Sequence, residues 1–193
     1  INAAHVFGGA DMQIKTVENV LHIPINHYFS IDMDAMKDLG DAVGGVTVDN
    51  AFAFDAEGIH YPKGKQHLGG WEALQYARMR YEDPEGDYGR QRRQREVLIE
   101  LTNKILSFNS LLKYQEILDV IGEHGETDLS FDQMMAMLKK YTPALKTIET
   151  DQLKGYDYTG DGVTGIEGIS YQLVEESERQ RVENAIKEQM NLS

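Results

Sequence analysis

Residues 77–95 read ARMRYEDPEGDYGRQRRQR. Six of the chain's eight arginines lie between Arg78 and Arg95. With Glu82, Asp83, Glu85 and Asp87 among them, the stretch carries +2 in a chain of net charge −13. Guanidinium groups stay charged at any working pH and present a planar fork of donors that matches phosphate or carboxylate oxygens. Arg78 and Arg80 are two apart, so in an extended segment they point to the same face. Arg90, Arg93 and Gln94 are three and four apart, so on a helix they share a face. Between the two groups, residues 84–89 (PEGDYG) are rich in turn formers. A strand, a loop and a helix start in this order bring Arg78, Arg80, Arg90 and Arg93 to one anion, with helix N-terminal amides adding to the field. The alternative is a solvated helix of mixed charge, on which Arg92 and Glu96 make an ordinary i,i+4 surface pair.

Regular elements are legible on both sides. Upstream, Ile14, Val17 and Leu21 have helical spacing, and the pattern stops at Ile23-Pro24. His27 to Met33 alternates as a strand with Phe29, Ile31 and Met33 on one side. Asp34 is placed to cap a helix carrying Met36, Leu39 and Val43, which ends at Gly44-Gly45. Val46 to Val48 reads as strand. Phe52–Phe54 and Ile59–Tyr61 flank a turn at residues 55–58 as a hairpin. Gly69-Gly70 precedes a short helix over Trp71–Tyr76.

Downstream, a long helix begins at Tyr88, with Val97, Leu101, Ile105 and Phe108 in register, and another covers Ser110–His124. Ser130 and Gln133 form a capping-box pattern before a helix that Pro143 closes. Thr147–Leu153 and Ile169–Val174 read as strands, and Glu175–Met190 as a charged helix. Strands and helices alternate over short links. The expected class is α/β: a layered α-β-α sandwich around a mixed central sheet, with residues 1–193 forming one domain.

Composition narrows the function. The chain has 193 residues, 41% hydrophobic, which suits a folded core. A pI near 4.8 argues against nucleic acid as a partner. Cysteine is absent, which excludes disulfides and thiol catalysis. No apolar run approaches the length of a membrane span, and no signal peptide is visible. The opening Ile-Asn-Ala-Ala reads as a piece of a longer chain, with any anchor lying upstream.

Other motifs lead elsewhere or nowhere. His5, His22, His27, His60, His67 and His124 lack the paired spacing of a metal site. There is no G-x-S-x-G elbow and no phosphate-binding G-x-x-x-x-G-K-[ST] loop. Asp157 to Gly162 imitates the start of a calcium loop, but position 12 is Gly168 and not a bidentate Glu, so a turn is expected. The methionines Met134, Met135 and Met137 read as packing. Asp87 has two compatible readings: N-cap of the helix that follows, or the carboxylate that orients Arg78, Arg80 or Arg90. Contact with a divalent cation at Asp87 is a third possibility.

Several blocks together resemble the LytR–CpsA–Psr family. They are Ile1–Ala4, Lys15–Asn19, Ile25–Tyr28, Asp41–Val48, Leu68–Arg80 with its Tyr-Ala-Arg-x-Arg, Asp87–Arg95 with its Gly-Arg-Gln-x-Arg-Gln, and Gly168–Tyr171. The resemblance covers nearly the whole chain. It implies an extracytoplasmic, membrane-anchored enzyme of bacterial envelopes, most typical of Gram-positive organisms. Such an enzyme holds a polyprenyl pyrophosphate lipid in an apolar tunnel. With magnesium assisting, it transfers a glycopolymer, teichoic acid or capsular polysaccharide, to peptidoglycan. It further implies that Arg78, Arg80, Arg90 and Gln94 contact the pyrophosphate, with Arg93 beside them, that Asp87 is the acidic position between them, and that Arg78, Arg80, Asp87 and Arg90 carry the catalysis. The family's main magnesium ligands and part of its sheet are expected upstream of residue 1. The competing reading is a non-catalytic module of the envelope that binds polyprenyl phosphate or anionic polymer for regulation.

Overall fold

The computed structural model describes residues 1–108, 111–141, 148–160, 165 and 168–192. In chain order the elements are α1 (Asn2–Leu21), β1 (Phe29–Ile31), α2 (Met33–Ala42), β2 (Val46–Asn50), β3 (Phe54–Ala56), β4 (Ile59–Tyr61), β5 (Gly64–Leu68), α3 (Gly70–Arg78), α4 (Asp87–Ser107), α5 (Leu111–His124), β6 (Gly125–Thr127), α6 (Phe131–Tyr141), β7 (Tyr156–Gly160), β8 (Ile169–Leu173) and α7 (Glu176–Gln189). The chain divides into two compact units, one of residues 1–28 with 149–193 and one of residues 29–148.

The α/β class expected from the sequence is what forms. The strands of the described residues pair as four two-stranded antiparallel sheets, β1–β6, β2–β5, β3–β4 and β7–β8, and not as one mixed sheet. Chain order explains the pairing in the middle of residues 29–148. The β3–β4 hairpin turns at Glu57-Gly58, and β2 and β5 run antiparallel on either side of it, with Val46 opposite Leu68 and Asn50 opposite Gly64. Val46, Val48 and Asn50 point inward while Thr47 and Asp49 face solvent, the period-2 pattern of a half-buried strand.

Strands β5, β6 and β7 have no counterpart in the sequence reading. Gly, Lys, Gln and Glu disfavour strands on their own, and pairing with β2 and β1 imposes that conformation on Gly64–Leu68 and Gly125–Thr127. Asp157–Gly160, read as the start of a turn, lies in β7 opposite β8; the rest of that motif, Asp161 and Gly162, lies outside the described residues. So do Ser110, Pro143 and Thr147, while residues 148–153 are not strand.

The N-cap of α2 is Asp32 and not Asp34: Asp32 Oδ1 accepts from the Ala35 amide at 2.8 Å. Met33 already has helical geometry, so the cap falls one residue before it. The Ser130–Gln133 capping box forms as expected, with Ser130 N–H donating to Gln133 Oε1 and Gln133 N–H to Ser130 Oγ.

The core of residues 29–148 gathers Met36 and Leu39 of α2, Val43 at its C-cap, Val46 and Val48 of β2, Phe54 of β3, Tyr61 of β4, Leu68 of β5, Leu74, Tyr76 and Ala77 of α3, Val97 and Leu101 of α4 and Ile117 of α5. Helix α3 packs against α2, α4 and β5, and α4 packs against β2. Its approach to α2 depends on two glycines: a Cβ at Gly70 would overlap the Lys37 carbonyl, and one at Gly40 would meet Gly70 Cα. The Gly70 amide also donates to Asp41 Oδ1 at 2.8 Å, which pins the start of α3.

In the other unit, α7 is tied down by ion pairs. Arg179 forks onto Glu176, reaches Glu183 at 2.5 Å and donates to the Val20 carbonyl at the end of α1. Arg181 forks onto Asp151 and also binds Glu178. Hydrogen bonds from Arg181 hold Asp151 and Glu178 down to about 2, those from Arg179 do so for Glu176, and Lys187 leads the same effect on Glu183. Folded-state values below the ordinary 3.8 and 4.5 mean that this stabilisation is complete above about pH 4.5. It is lost as pH falls through about 2. These groups are solvent-screened, so the effect weakens with salt. Carboxyl NMR titration of Asp151 and Glu178 should give apparent values close to 2; ordinary carboxylate values would contradict the network.

Candidate anion-binding site

The site is built where α3 ends and α4 begins. The extended segment expected at Arg78–Arg80 is instead the last turn of α3 followed by a break. The Met79 amide still donates to the Gln75 carbonyl at 3.1 Å, while Met79's own φ of −56° and ψ of 133° leave the helix. The alternation survives the change: Ala77 and Met79 are buried, Arg78 and Arg80 exposed. The arrangement is therefore helix, loop, helix.

Arg93 does not join the other arginines. It is 3% exposed and faces the core, in one stripe with Gly89, Val97 and Leu101 at four-residue intervals. Its Nε donates to the Tyr76 carbonyl at 3.0 Å, and its Nη2 donates to the Met79 carbonyl. Its Nη1 pairs with Asp83, whose side chain is fully buried. The guanidinium carbon lies 5.6 Å from the Phe54 ring centre and 5.9 Å from that of Tyr76, within cation–π range. Every edge of the fork is used inside the protein, so none is left for a ligand.

This contact fixes the site from beneath. Arg93 ties α4 to the last turn of α3 and, through Asp83, to the loop between them. Asp83 Oδ1 accepts the Glu85 amide at 2.7 Å and its carbonyl accepts the Gly86 amide at 2.9 Å. Residue 89 must be glycine for Asp83 to sit there, because a Cβ would collide with the carboxylate. Nothing in the sequence reading marked Asp83 out from the other acids of the loop. The signal that was available is the apolar stripe of α4, which runs back from Leu101 through Val97 onto Arg93.

Asp87 is the first residue of α4, and Gly86, at φ 54°, takes the cap position without a side-chain bond. The N-cap reading of Asp87 is therefore not realised, since the helix starts one residue earlier than Tyr88. The orienting reading is: Asp87 Oδ1 lies 2.5 Å from Arg90 Nη2 and 3.7 Å from Arg80 Nε, and Oδ2 accepts from Gln91 at 3.0 Å. Asp87 Oδ1 and Arg90 Nε are both buried and complete no well-aligned hydrogen bond among the described residues. Arg78 and Gln94 have no hydrogen-bond or ion-pair partner among the described residues. Arg92 leaves the cluster and pairs with Glu85, not Glu96. Glu96 turns inward to accept from the Tyr76 hydroxyl at 2.8 Å and the Asp49 amide at 2.7 Å. Burial and this carboxylate push the Tyr76 phenol well up, so it stays a donor.

The result is a pair of arginines, Arg80 and Arg90, brought together by Asp87, with Arg78 exposed at the end of α3 and Gln94 one turn beyond Arg90 on α4. It offers donors to an anion. A magnesium ion does not fit these residues on their own. Asp87 is a single carboxylate flanked by two guanidinium groups, and among the described residues no group of three or more His, Cys, Asp or Glu side chains is placed to hold a metal.

The LytR_cpsA_psr family model matches residues 1–188. A polyisoprenyl-teichoic acid–peptidoglycan teichoic acid transferase TagU of Enterococcus faecalis is 48% identical over 191 residues, covering 99% of this chain and 61% of that protein. The crystal structure of an E. faecalis protein described as a transcriptional regulator superposes with a TM-score of 0.86 at 45% identity, over 100% of this chain and 69% of that one. A structure of TagT bound to LI-WTA superposes with a TM-score of 0.76 at 27% identity, over 98% of this chain and 70% of that one. The chain belongs to the LytR–CpsA–Psr family. It spans about three fifths of the length of the curated relatives it matches.

Proposed function

We propose that residues 78–94 form the pyrophosphate-binding part of an envelope transferase, which moves a glycopolymer from a polyprenyl pyrophosphate carrier to peptidoglycan outside the cytoplasm. The observation that carries this is the Asp87 carboxylate set between Arg80 and Arg90, which brings two guanidinium groups together at the start of α4, with Arg90 Nε buried and still without a hydrogen-bond partner among the described residues. An unpaired buried donor is costly, and an anion laid across these arginines would supply the acceptor that Arg90 Nε lacks. The teichoic acid transferase name of the E. faecalis relative and the LI-WTA bound to TagT support the choice of ligand.

In this reading an acceptor hydroxyl of peptidoglycan attacks the phosphorus that bears the polymer. The bond to the bridging oxygen breaks, polyprenyl phosphate leaves, and the proton of the attacking hydroxyl is released to the leaving phosphate or to water. Such transfers depend on positioning and on charge placed against the non-bridging oxygens. Arg78, Arg80 and Arg90 supply that charge, Asp87 holds two of them in place, and Gln94 adds a neutral donor one turn beyond Arg90. Magnesium would meet Asp87 only in company with the phosphate oxygens of the ligand, which offset the two guanidinium charges.

A second reading, retention of the lipid-linked polymer without transfer, is favoured by one feature: Asp87, the acid between the arginines, is engaged by Arg80, Arg90 and Gln91. Turnover decides between them. Incubation with a polyprenyl-pyrophosphate-linked polymer and peptidoglycan should release polyprenyl phosphate with wild type and not with Arg90→Ala. Binding without any release would favour retention.

A further inference from the structure

Gln75 sits near the end of α3, and its side chain is 3% exposed. Its Nε2 is buried and has no hydrogen-bond partner among the described residues. A primary amide in this state leaves two donors unmet, and replacing such a group by an apolar one of the same shape can be nearly neutral or stabilising. The neighbours of Gln75 on α3 make this placement informative. Arg78 lies three residues on and Trp71 four residues back, so all three fall on adjoining parts of one helix face. Trp71 is 47% exposed, and Arg78 is exposed and partnerless. At about 100° per residue, Trp71 and Arg78 are about 20° apart around the axis and Gln75 about 50° from them, toward the buried Tyr76. Gln75 thus stands at the inner border of the strip that leads to Arg78.

We propose that Gln75 is a further ligand-contacting residue of the arginine site, its side-chain amide turning toward Arg78 to donate to a phosphate oxygen of the bound pyrophosphate. The proposal rests on the pyrophosphate reading of the site. It gives Arg78 a neutral companion one turn back on α3, as Gln94 is to Arg90 one turn on along α4. A neutral amide adds direction where another charge would only add repulsion among the arginines.

The test uses the full chain, with geranyl pyrophosphate and inorganic pyrophosphate as probes in calorimetric titrations, and Gln75→Met, which keeps the length and volume of the side chain without its donors. Loss of a hydrogen bond to a charged group corresponds to about tenfold weaker binding or more. Gln75→Met should therefore melt no lower than wild type and bind both probes about tenfold more weakly. Weaker binding in a protein that is no less stable cannot come from misfolding. Unchanged affinity in Gln75→Met, while Arg78→Ala loses binding, overturns the role of Gln75 and leaves the arginine site standing. Failure of folded wild type to bind either probe overturns both.

Discussion

Arg93→Ala should lower the stability of residues 29–148 by about 3–5 kcal/mol, the usual cost of removing one member of a buried ion pair. Asp83 would be left fully buried with no cation, and the Tyr76 and Met79 carbonyls would each lose a donor. The apolar stem of Arg93 also fills space beside Phe54 and Tyr76. Arg92→Ala is the control. It differs by one position and carries the same charge change, but it removes only an exposed pair with Glu85, worth about 0–1 kcal/mol. Urea denaturation of the two variants should separate them clearly. Equal, small effects would mean that Arg93 is not the tie between α3, the loop and α4.

The second large effect is on binding. Arg78→Ala/Arg80→Ala removes two exposed guanidinium groups, one of them partnerless and the other held only by a 3.7 Å pair with Asp87. Neither contributes to the core, so folding should be preserved within about 0.5 kcal/mol. A charge-assisted hydrogen bond is worth about 1.5–3 kcal/mol, so loss of two corresponds to a fall in pyrophosphate affinity of about a hundredfold or more. Arg92→Ala, with the same sign of charge change outside the cluster, should leave affinity within a few-fold. The contrast distinguishes a built site from general attraction of an anion to a basic stretch, which falls with salt and ignores position.

Much of this was legible in the sequence, and the exceptions have physical causes. The helices around Met36, Val97 and Ile117, the hairpin at Phe54–Tyr61 and the capping box at Ser130 announce themselves by periodicity and turn chemistry. Strand β5 does not, because Gly64, Lys65 and Gln66 are strand only through their pairing with β2. The arginine cluster was visible as composition, and the exposure of Arg78 and Arg80 followed from their two-residue spacing although Arg78 is helical. Arg93 was misplaced because helical spacing was measured from Arg90. Measured instead from Val97 and Leu101, the same periodicity puts Arg93 on the buried stripe, with Asp83 as the charge that makes its burial tolerable. No pattern signals that Asp83 is that partner, since a loop acid ten residues away is brought under α4 only by the folded turn and by the missing side chain of Gly89.

The most direct measurement is native mass spectrometry of the full chain with a polyprenyl pyrophosphate, beside the Arg78→Ala/Arg80→Ala variant. The account predicts a one-to-one complex with wild type and none with the folded variant at the same ligand concentration. Equal binding by both proteins, or none by folded wild type, would contradict a pyrophosphate site on these arginines.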